Sequence, residues 1–193
     1  MTHGAWPFES DHVQRWAYWD NLFTKDECAS IIALGNKQVL ATAGVDAEDK
    51  TMLDVRDSKI AWVYPSEESQ WVFQRVTSMI KSVNNDFFQF DLYGLVEGLQ
   101  FTRYDAPSGR YVRHTDNLTH GFTRKLSVTI QLSADEDYDG GGLLLHYAKD
   151  PVKAPTDQGK AIVFPSFMLH EVEPVTKGTR YSLVCWVTGK PFK

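Results

Sequence analysis

The sequence predicts an α+β fold in which helices come first and a β-sandwich or barrel follows. Up to about residue 83, apolar residues recur at the three-to-four spacing of helices; from Leu95 onward, short apolar or alternating runs are separated by turn residues. Helices followed by strands are typical of α+β domains, and short strands between tight turns favour a sandwich or barrel. The predicted strands are Leu99–Tyr104, Leu126–Ser133, Gly142–Tyr147, Ala161–Phe164 and Arg180–Thr188.

Length and composition narrow the class of protein. A chain of 193 residues favours a single domain, spanning 1–193, and its 42% apolar and 23% charged residues are typical of a folded globular protein. The net charge of −5, without a basic stripe, argues against nucleic-acid binding. We find no signal peptide and no run of roughly 18 apolar residues, so we expect no membrane span and a cytoplasmic location. Cys28 and Cys185 should be buried thiols rather than a disulfide.

Two helices are predicted ahead of the main run of strands, and Val55–Val63, which precedes the second helix, is a further candidate strand. Thr24 and Glu27 have the spacing of a capping box, and Gly35 is a candidate helix end. A second helix is predicted to start at Ser66, with the two following glutamates in its first turn, where the helix dipole favours negative charge. The apolar stripe from residue 71 to 83 should pack into the core.

The residues that could bind a metal or a cosubstrate lie among the predicted strands. His114 and Asp116 are two residues apart, so on a strand their side chains would point to the same face. His170 follows an apolar strand and a turn. Two imidazoles and one carboxylate are the facial triad of non-haem iron(II) oxygenases. Arg180 and Ser182, on one face of the next strand, would suit a carboxylate, since a guanidinium beside a hydroxyl binds that group well.

This combination resembles the Fe(II)/2-oxoglutarate-dependent dioxygenases, and most closely their prolyl 4-hydroxylase-like branch. The similarity runs from about Val55 to Thr188. It rests on five segments: the Arg-x-Ser of 55–58, the Tyr…Gly…Tyr…His-x-Asp of 104–116, the strands 126–133 and 138–145, and the run 159–175 that contains the second histidine.

The resemblance implies a double-stranded β-helix, or jelly roll, with N-terminal helices packed on one side. It implies iron held by His114, Asp116 and His170 in the mouth of the barrel, with 2-oxoglutarate and dioxygen as cosubstrates and ascorbate as reductant. It places four residues at the 2-oxoglutarate and three near the substrate. The former are Arg180, Ser182, Tyr104 and Trp186, with Lys125 or Thr129 as further candidates; the latter are Arg56, Ser58 and Tyr111.

The leading function is hydroxylation of a prolyl residue in a protein or peptide. The segment Thr42–Asp54 is then a candidate lid, and Trp62, Tyr64 and Tyr111 are candidates for an aromatic surface that a proline ring favours. A free amino acid or another small metabolite is an alternative substrate and predicts a closed, charged pocket. A binding module that has lost turnover is a third possibility, and a zinc or nickel site in a related barrel a fourth. Among the other histidines, His120 is placed near the site and His146 is read as structural.

Overall fold

Two antiparallel sheets form the body of the protein. The structure, a computed structural model, describes residues 14–43, 55–117 and 122–191. In chain order the strands are β1 Ala17–Trp19, β2 Ala41–Thr42, β3 Arg56–Asp57, β4 Lys59–Val63, β5 Leu92–Gly94, β6 Leu99–Asp105, β7 Arg110–His114, β8 Arg124–Gln131, β9 Tyr138–Gly140, β10 Leu143–His146, β11 Val152–Lys153, β12 Ala161–Pro165, β13 Leu169–Val172 and β14 Val175–Gly189.

The larger sheet has the order β1-β12-β8-β14-β6-β4-β2, with β5 and β9 also pairing with the long strand β14. The smaller sheet has the order β11-β10-β13-β7-β3. A cluster of buried apolar residues draws on strands of both sheets, among them Tyr104 and Phe164 of the larger and Leu145 and Val172 of the smaller. Two sheets that enclose a common apolar core confirm the predicted sandwich or barrel of strands.

The first helix, α1, spans Lys25–Asn36 and begins with the predicted capping box. The Thr24 hydroxyl accepts a hydrogen bond from the Glu27 amide at 3.3 Å, and the Glu27 carboxylate accepts one from the Thr24 amide at 2.9 Å. Gly35 lies inside this helix and does not end it. A methyl group at this position would come within 2.3 Å of the Phe101 ring, so the glycine allows the helix to approach β6 closely.

The second helix, α2, spans Gln70–Val83 and begins later than predicted. Ser66 and Ser69 form a turn ahead of it: the Ser69 hydroxyl donates to the Tyr64 carbonyl at 2.7 Å and accepts from the Ser66 amide at 2.9 Å. The two glutamates therefore lie in this turn, not in the helix. The predicted apolar stripe is confirmed, because the buried face of α2 is Val72, Val76, Met79, Ile80 and Val83.

Buried side chains of both helices share one apolar cluster with residues of the larger sheet, such as Ile31 of α1, Val76 of α2 and Phe101 of β6. A π-helical turn, Asn84–Phe88, connects α2 to the following strands. Within the described ranges, neither α-helix has the length and apolar character needed to cross a membrane.

The predicted strand 55–63 divides between the two sheets at Ser58. β3 pairs with β7 of the smaller sheet, whereas β4 pairs with β6 of the larger sheet. The Ser58 side chain is buried where the chain crosses over. This crossing brings Arg56 to the opening between the sheets, where the candidate site lies.

Candidate metal and cosubstrate site

Three side chains converge at the open end of the two sheets. Ligand atoms of His114, Asp116 and His170 all lie within 4.8 Å of one another. His114 ends β7 and is paired directly with His170 of β13. Asp116 lies beyond the end of β7, which corrects the expectation that alternation along one strand would align it with His114. Its amide instead donates to the Ser166 carbonyl at 2.8 Å, and this bond fixes the loop that turns the carboxylate inward.

Both histidines are oriented by backbone carbonyls. The Nδ1 atom of His114 lies 2.8 Å from the Val112 carbonyl, and Nδ1 of His170 lies 2.9 Å from the Met168 carbonyl. Because a carbonyl only accepts, each Nδ1 carries the proton. A neutral imidazole then has its lone pair on Nε2, and both Nε2 atoms face Asp116, at 3.6 and 3.4 Å from its oxygens. This is the orientation that metal-binding histidines adopt.

The protonation states also suit a metal. Burial acts to raise the pKa of Asp116, but its contacts with His114, His170 and the Ser127 hydroxyl outweigh burial, and the pKa falls well below its usual range. Ser127 donates to the carboxylate at 2.7 Å. Burial lowers the pKa of His170, which favours the neutral imidazole. The donor set is therefore an ionised carboxylate and imidazoles with free lone pairs, which fits iron(II).

A bulge in β7 places one more side chain against the triad. Tyr111 pairs with Val172 and His114 with His170, so β7 has one more residue than β13 over this interval. Tyr111 and His114 consequently face the same way, and their rings stack with centroids 3.5 Å apart. The Arg56 guanidinium lies over the Tyr111 ring, 4.5 Å from its centre.

Arg180 lies in the middle of β14, not at its start, and is paired with Tyr104 of β6. It is only 1% exposed. Its Nη2 donates to the Gln131 side-chain carbonyl at 2.9 Å, while its buried Nη1 has no hydrogen-bond partner among the described residues. A buried guanidinium with an unused donor and a neutral partner is stabilised when an anion binds to it. The residues present therefore fit the distal carboxylate of 2-oxoglutarate.

One cavity of about 170 Å³ joins the triad to Arg180. Of the residues predicted at the cosubstrate or substrate, it brings together Tyr104, Tyr111, Arg56, Ser182 and Trp186, and it also includes Thr129 but not Lys125. Ser58 does not line the cavity; it is buried and accepts a hydrogen bond from Arg56 Nε at 2.9 Å. Ser58 is thus placed behind Arg56 and away from the position expected of a substrate contact.

The remaining predicted residues have different positions. Trp62 packs near Trp186, with ring centres 6.1 Å apart, whereas Tyr64 is 63% exposed and lies outside the cavity. His146 pairs with Glu171 at 2.9 Å and is not part of the triad. His120 and residues 44–54 of the candidate lid lie outside the described residues.

Sequence reasoning missed four polar residues around the cavity. Gln131 holds Arg180, Ser127 holds Asp116, and Gln100 accepts from Arg56 at 2.8 Å. Arg124 lies over the Trp186 ring at 3.8 Å. Strand alternation offered a signal for the first two, since Ser127, Thr129 and Gln131 occupy alternate positions of β8. The roles of Arg124 and Gln100 depend on contacts between distant segments.

Comparison with known proteins supports this reading of the site. A sequence model of the 2OG-Fe(II) oxygenase superfamily matches residues 99–188, which include the triad, Arg180 and Ser182. A PKHD-type hydroxylase of Prochlorococcus marinus is 36% identical over 151 residues, covering 76% of this chain and 63% of the relative. One from a Picosynechococcus species is 43% identical over 93 residues, covering 48% and 42%. The chain thus matches between 42% and 63% of the length of these relatives.

Solved structures have the same fold. A Pseudomonas putida prolyl-4-hydroxylase matches with a TM-score of 0.72 and 22% identity, covering 92% of this chain and 94% of its own. A Trichoplax adhaerens prolyl hydroxylase, solved with a hypoxia inducible factor peptide fragment, matches with a TM-score of 0.75 and 22% identity, covering 91% and 84%. Residues 99–188 of the chain are therefore similar in sequence to the 2OG-Fe(II) oxygenase superfamily, and the fold is that of solved prolyl hydroxylases.

Proposed function

We propose that this chain is an Fe(II)- and 2-oxoglutarate-dependent hydroxylase that acts on a prolyl residue of a protein or peptide. One observation carries the proposal: the His114, Asp116 and His170 cluster shares a single cavity with Arg180, a buried guanidinium without a carboxylate partner among the described residues. Metal ligands and an anion receptor in one cavity are what a metal-chelating dicarboxylate requires.

Each residue then has a defined task. His114, Asp116 and His170 would hold iron(II), as a facial triad does. Arg180 Nη1 and the Ser182 hydroxyl would bind the distal carboxylate of 2-oxoglutarate. Trp186, 7% exposed, forms a wall that keeps water away from the cosubstrate.

Iron and 2-oxoglutarate together would supply the activated oxygen that hydroxylates a C–H bond, with succinate and carbon dioxide as coproducts. The protein contributes position and a dry surrounding. Tyr111, stacked on His114, fixes the plane of that imidazole and occupies space beside the metal. The substrate is therefore confined to the part of the opening that Tyr111 and Arg56 leave free.

The size of the cavity favours a substrate that enters from outside. Its volume of about 170 Å³ has to accommodate 2-oxoglutarate beside the metal ligands, so we expect most of a substrate to lie outside it, at its mouth. A small metabolite held in a closed pocket would need further enclosed space. A residue of a bound peptide needs to enter only the mouth of the cavity, while the rest of the peptide stays outside. The peptide-bound prolyl hydroxylase of Trichoplax adhaerens, which shares the fold, supports the same choice.

Coupled turnover tests the proposal. The purified protein is incubated with Fe(II), ascorbate, 2-oxoglutarate and oxygen, and with a library of proline-containing peptides. Succinate is quantified, and peptides are read by mass spectrometry. We expect stoichiometric succinate and a product heavier by a single oxygen atom, with both lost in Asp116→Ala.

Other results would select the alternatives. Succinate with no modified peptide, but with a modified amino acid or metabolite, would replace the peptide substrate with a small molecule. Binding of Fe(II) and 2-oxoglutarate with no turnover under any condition would contradict an enzyme and favour a binding module. Tight zinc or nickel binding that excludes 2-oxoglutarate would contradict the cosubstrate assignment.

A further inference from the structure

Two arginines on the cavity wall are held in the same way. Arg180 donates Nη2 to the side-chain carbonyl of Gln131 at 2.9 Å, and Arg56 donates Nη2 to that of Gln100 at 2.8 Å. A glutamine carbonyl orients a guanidinium without neutralising it. In both residues Nη1 forms no hydrogen bond to another described residue, so each presents a free donor and a full positive charge.

The two guanidinium groups lie in different parts of the opening. Gln131 of β8 is paired with Ser182 on one side of β14, and Gln100 of β6 is paired with Val184 on the other side. Two interstrand spacings of about 4.8 Å, together with a two-residue offset along β14, place these anchors more than about 10 Å apart. A 2-oxoglutarate molecule that joins Arg180 to the metal therefore leaves Arg56 without a partner.

The charged residues that the structure describes around the cavity leave the Arg56 guanidinium without an ion pair. Arg124, the third arginine of the cavity, is paired with Glu97 through two hydrogen bonds of 2.8 and 2.5 Å. In the part of the chain that the structure describes, Arg56 has no ion pair; its polar partners are the Ser58 hydroxyl and the Gln100 amide, and Tyr111 lies beneath it. An arginine held rigidly by neutral groups is organised for an anion that comes from outside.

The position of Arg56 indicates what that anion belongs to. Its guanidinium lies 4.5 Å from the centre of the Tyr111 ring, and that ring stacks on the imidazole of His114 at 3.5 Å. A group bound at Arg56 is therefore adjacent to the atom that is hydroxylated. We propose that Arg56 binds a carboxylate of the substrate that lies close to the hydroxylated carbon atom. This inference rests on the proposed function and makes Arg56 a determinant of substrate specificity.

A carboxylate in this position has two sources. It is the side chain of an acidic residue beside the proline, or the free carboxylate of a C-terminal proline or of the amino acid itself. Matched pairs distinguish them: Asp against Asn beside an internal proline, and free acid against amide for a C-terminal proline. Free proline against prolinamide completes the set.

Binding and turnover are measured for each pair. Calorimetry on the protein with Mn(II) and 2-oxoglutarate, without turnover, gives affinity; succinate release with Fe(II) gives kcat and KM. For the natural chain we expect the acid of at least one pair to bind at least about tenfold more tightly than its neutral counterpart, as for a hydrogen bond to a charged group. Arg56→Gln should remove this preference, and Arg56→Lys should retain part of it.

Lys59→Gln is the matched control, because it removes a positive charge three residues away that pairs with Asp105 outside the cavity. Its preference for the acid should persist. Equal binding of acid and neutral forms in every pair, or a preference that survives in Arg56→Gln, would overturn the proposal. Turnover by the natural chain without any preference would leave the hydroxylase assignment intact, whereas failure to bind 2-oxoglutarate would overturn that assignment and this inference together.

Discussion

Arg180→Met should have opposite effects on stability and on cosubstrate binding. The guanidinium is 1% exposed, has a neutral partner in Gln131 and leaves Nη1 without a hydrogen bond. Its charge therefore destabilises the fold until an anion binds. Methionine has a similar length and no charge. The cosubstrate-free variant should be at least as stable as the natural chain, even though a fully buried side chain has been replaced.

The loss of binding follows from the same burial. Removing one partner of a buried, hydrogen-bonded charge pair costs about 2–5 kcal/mol. At 1% exposure, water does not screen the charge of Arg180, so this full range applies. The dissociation constant of 2-oxoglutarate should rise by roughly 30-fold or more, since about 1.4 kcal/mol corresponds to tenfold.

Thermal unfolding with and without 2-oxoglutarate, in the presence of Mn(II), measures both effects. The natural chain should be stabilised by the cosubstrate, and Arg180→Met should not respond. Arg180→Lys keeps the charge but lacks the forked donors, so it should respond weakly. If Arg180→Met still binds 2-oxoglutarate with unchanged affinity, the assignment of Arg180 to the cosubstrate is refuted. If the ligand-free variant is much less stable than the natural chain, the unpaired charge of Arg180 does not destabilise the fold.

Three further predictions concern the surroundings of the site. Ser127→Ala removes a donor to Asp116 and should weaken metal binding about 10- to 100-fold in a metal titration; an unchanged affinity would count against the role of Ser127. Because burial lowers the pKa of His170 from its ordinary 6.5, an NMR titration of the metal-free protein should find this imidazole neutral at pH 6.5 and protonated only at lower pH; a midpoint for His170 above pH 6.5 would contradict this. Gly35→Ala should destabilise the fold by about 1–3 kcal/mol in denaturant unfolding, despite the better helix propensity of alanine, because its methyl group would meet the Phe101 ring; a stabilised variant would disprove the close contact.

The sequence predicts the sheets better than their connections. Strands such as Leu99–Asp105 and Ala161–Pro165 follow directly from apolar runs between turn residues. The division of 55–63 between two sheets cannot be read from the sequence, because Ser58 is not a residue type that interrupts a strand. The crossing is set by pairing with β6 and β7, which come later in the chain. The late start of α2 likewise depends on a hydroxyl network between Ser66 and Ser69 that competes with the first helical turn.

For the site, residue types were predictable and their geometry was not. The spacing of His114, Asp116 and His170 indicates a shared metal, but the alignment arises from the Asp116–Ser166 bond and from strand pairing, not from alternation along β7. The bulge that stacks Tyr111 on His114 has no sequence signal of its own.

Anaerobic titration of the Fe(II)-loaded protein with 2-oxoglutarate tests the central claim most directly, because chelation of iron(II) by the keto acid produces a visible charge-transfer absorption. We predict that this absorption appears, saturates as 2-oxoglutarate is added to protein that carries one Fe(II) per chain, and is absent in His170→Ala. At fixed Fe(II), Arg180→Met should need much more 2-oxoglutarate to reach the same absorption. A protein that binds Fe(II) but never develops this absorption, or that develops it equally in His170→Ala, would contradict the assignment of the metal and cosubstrate site.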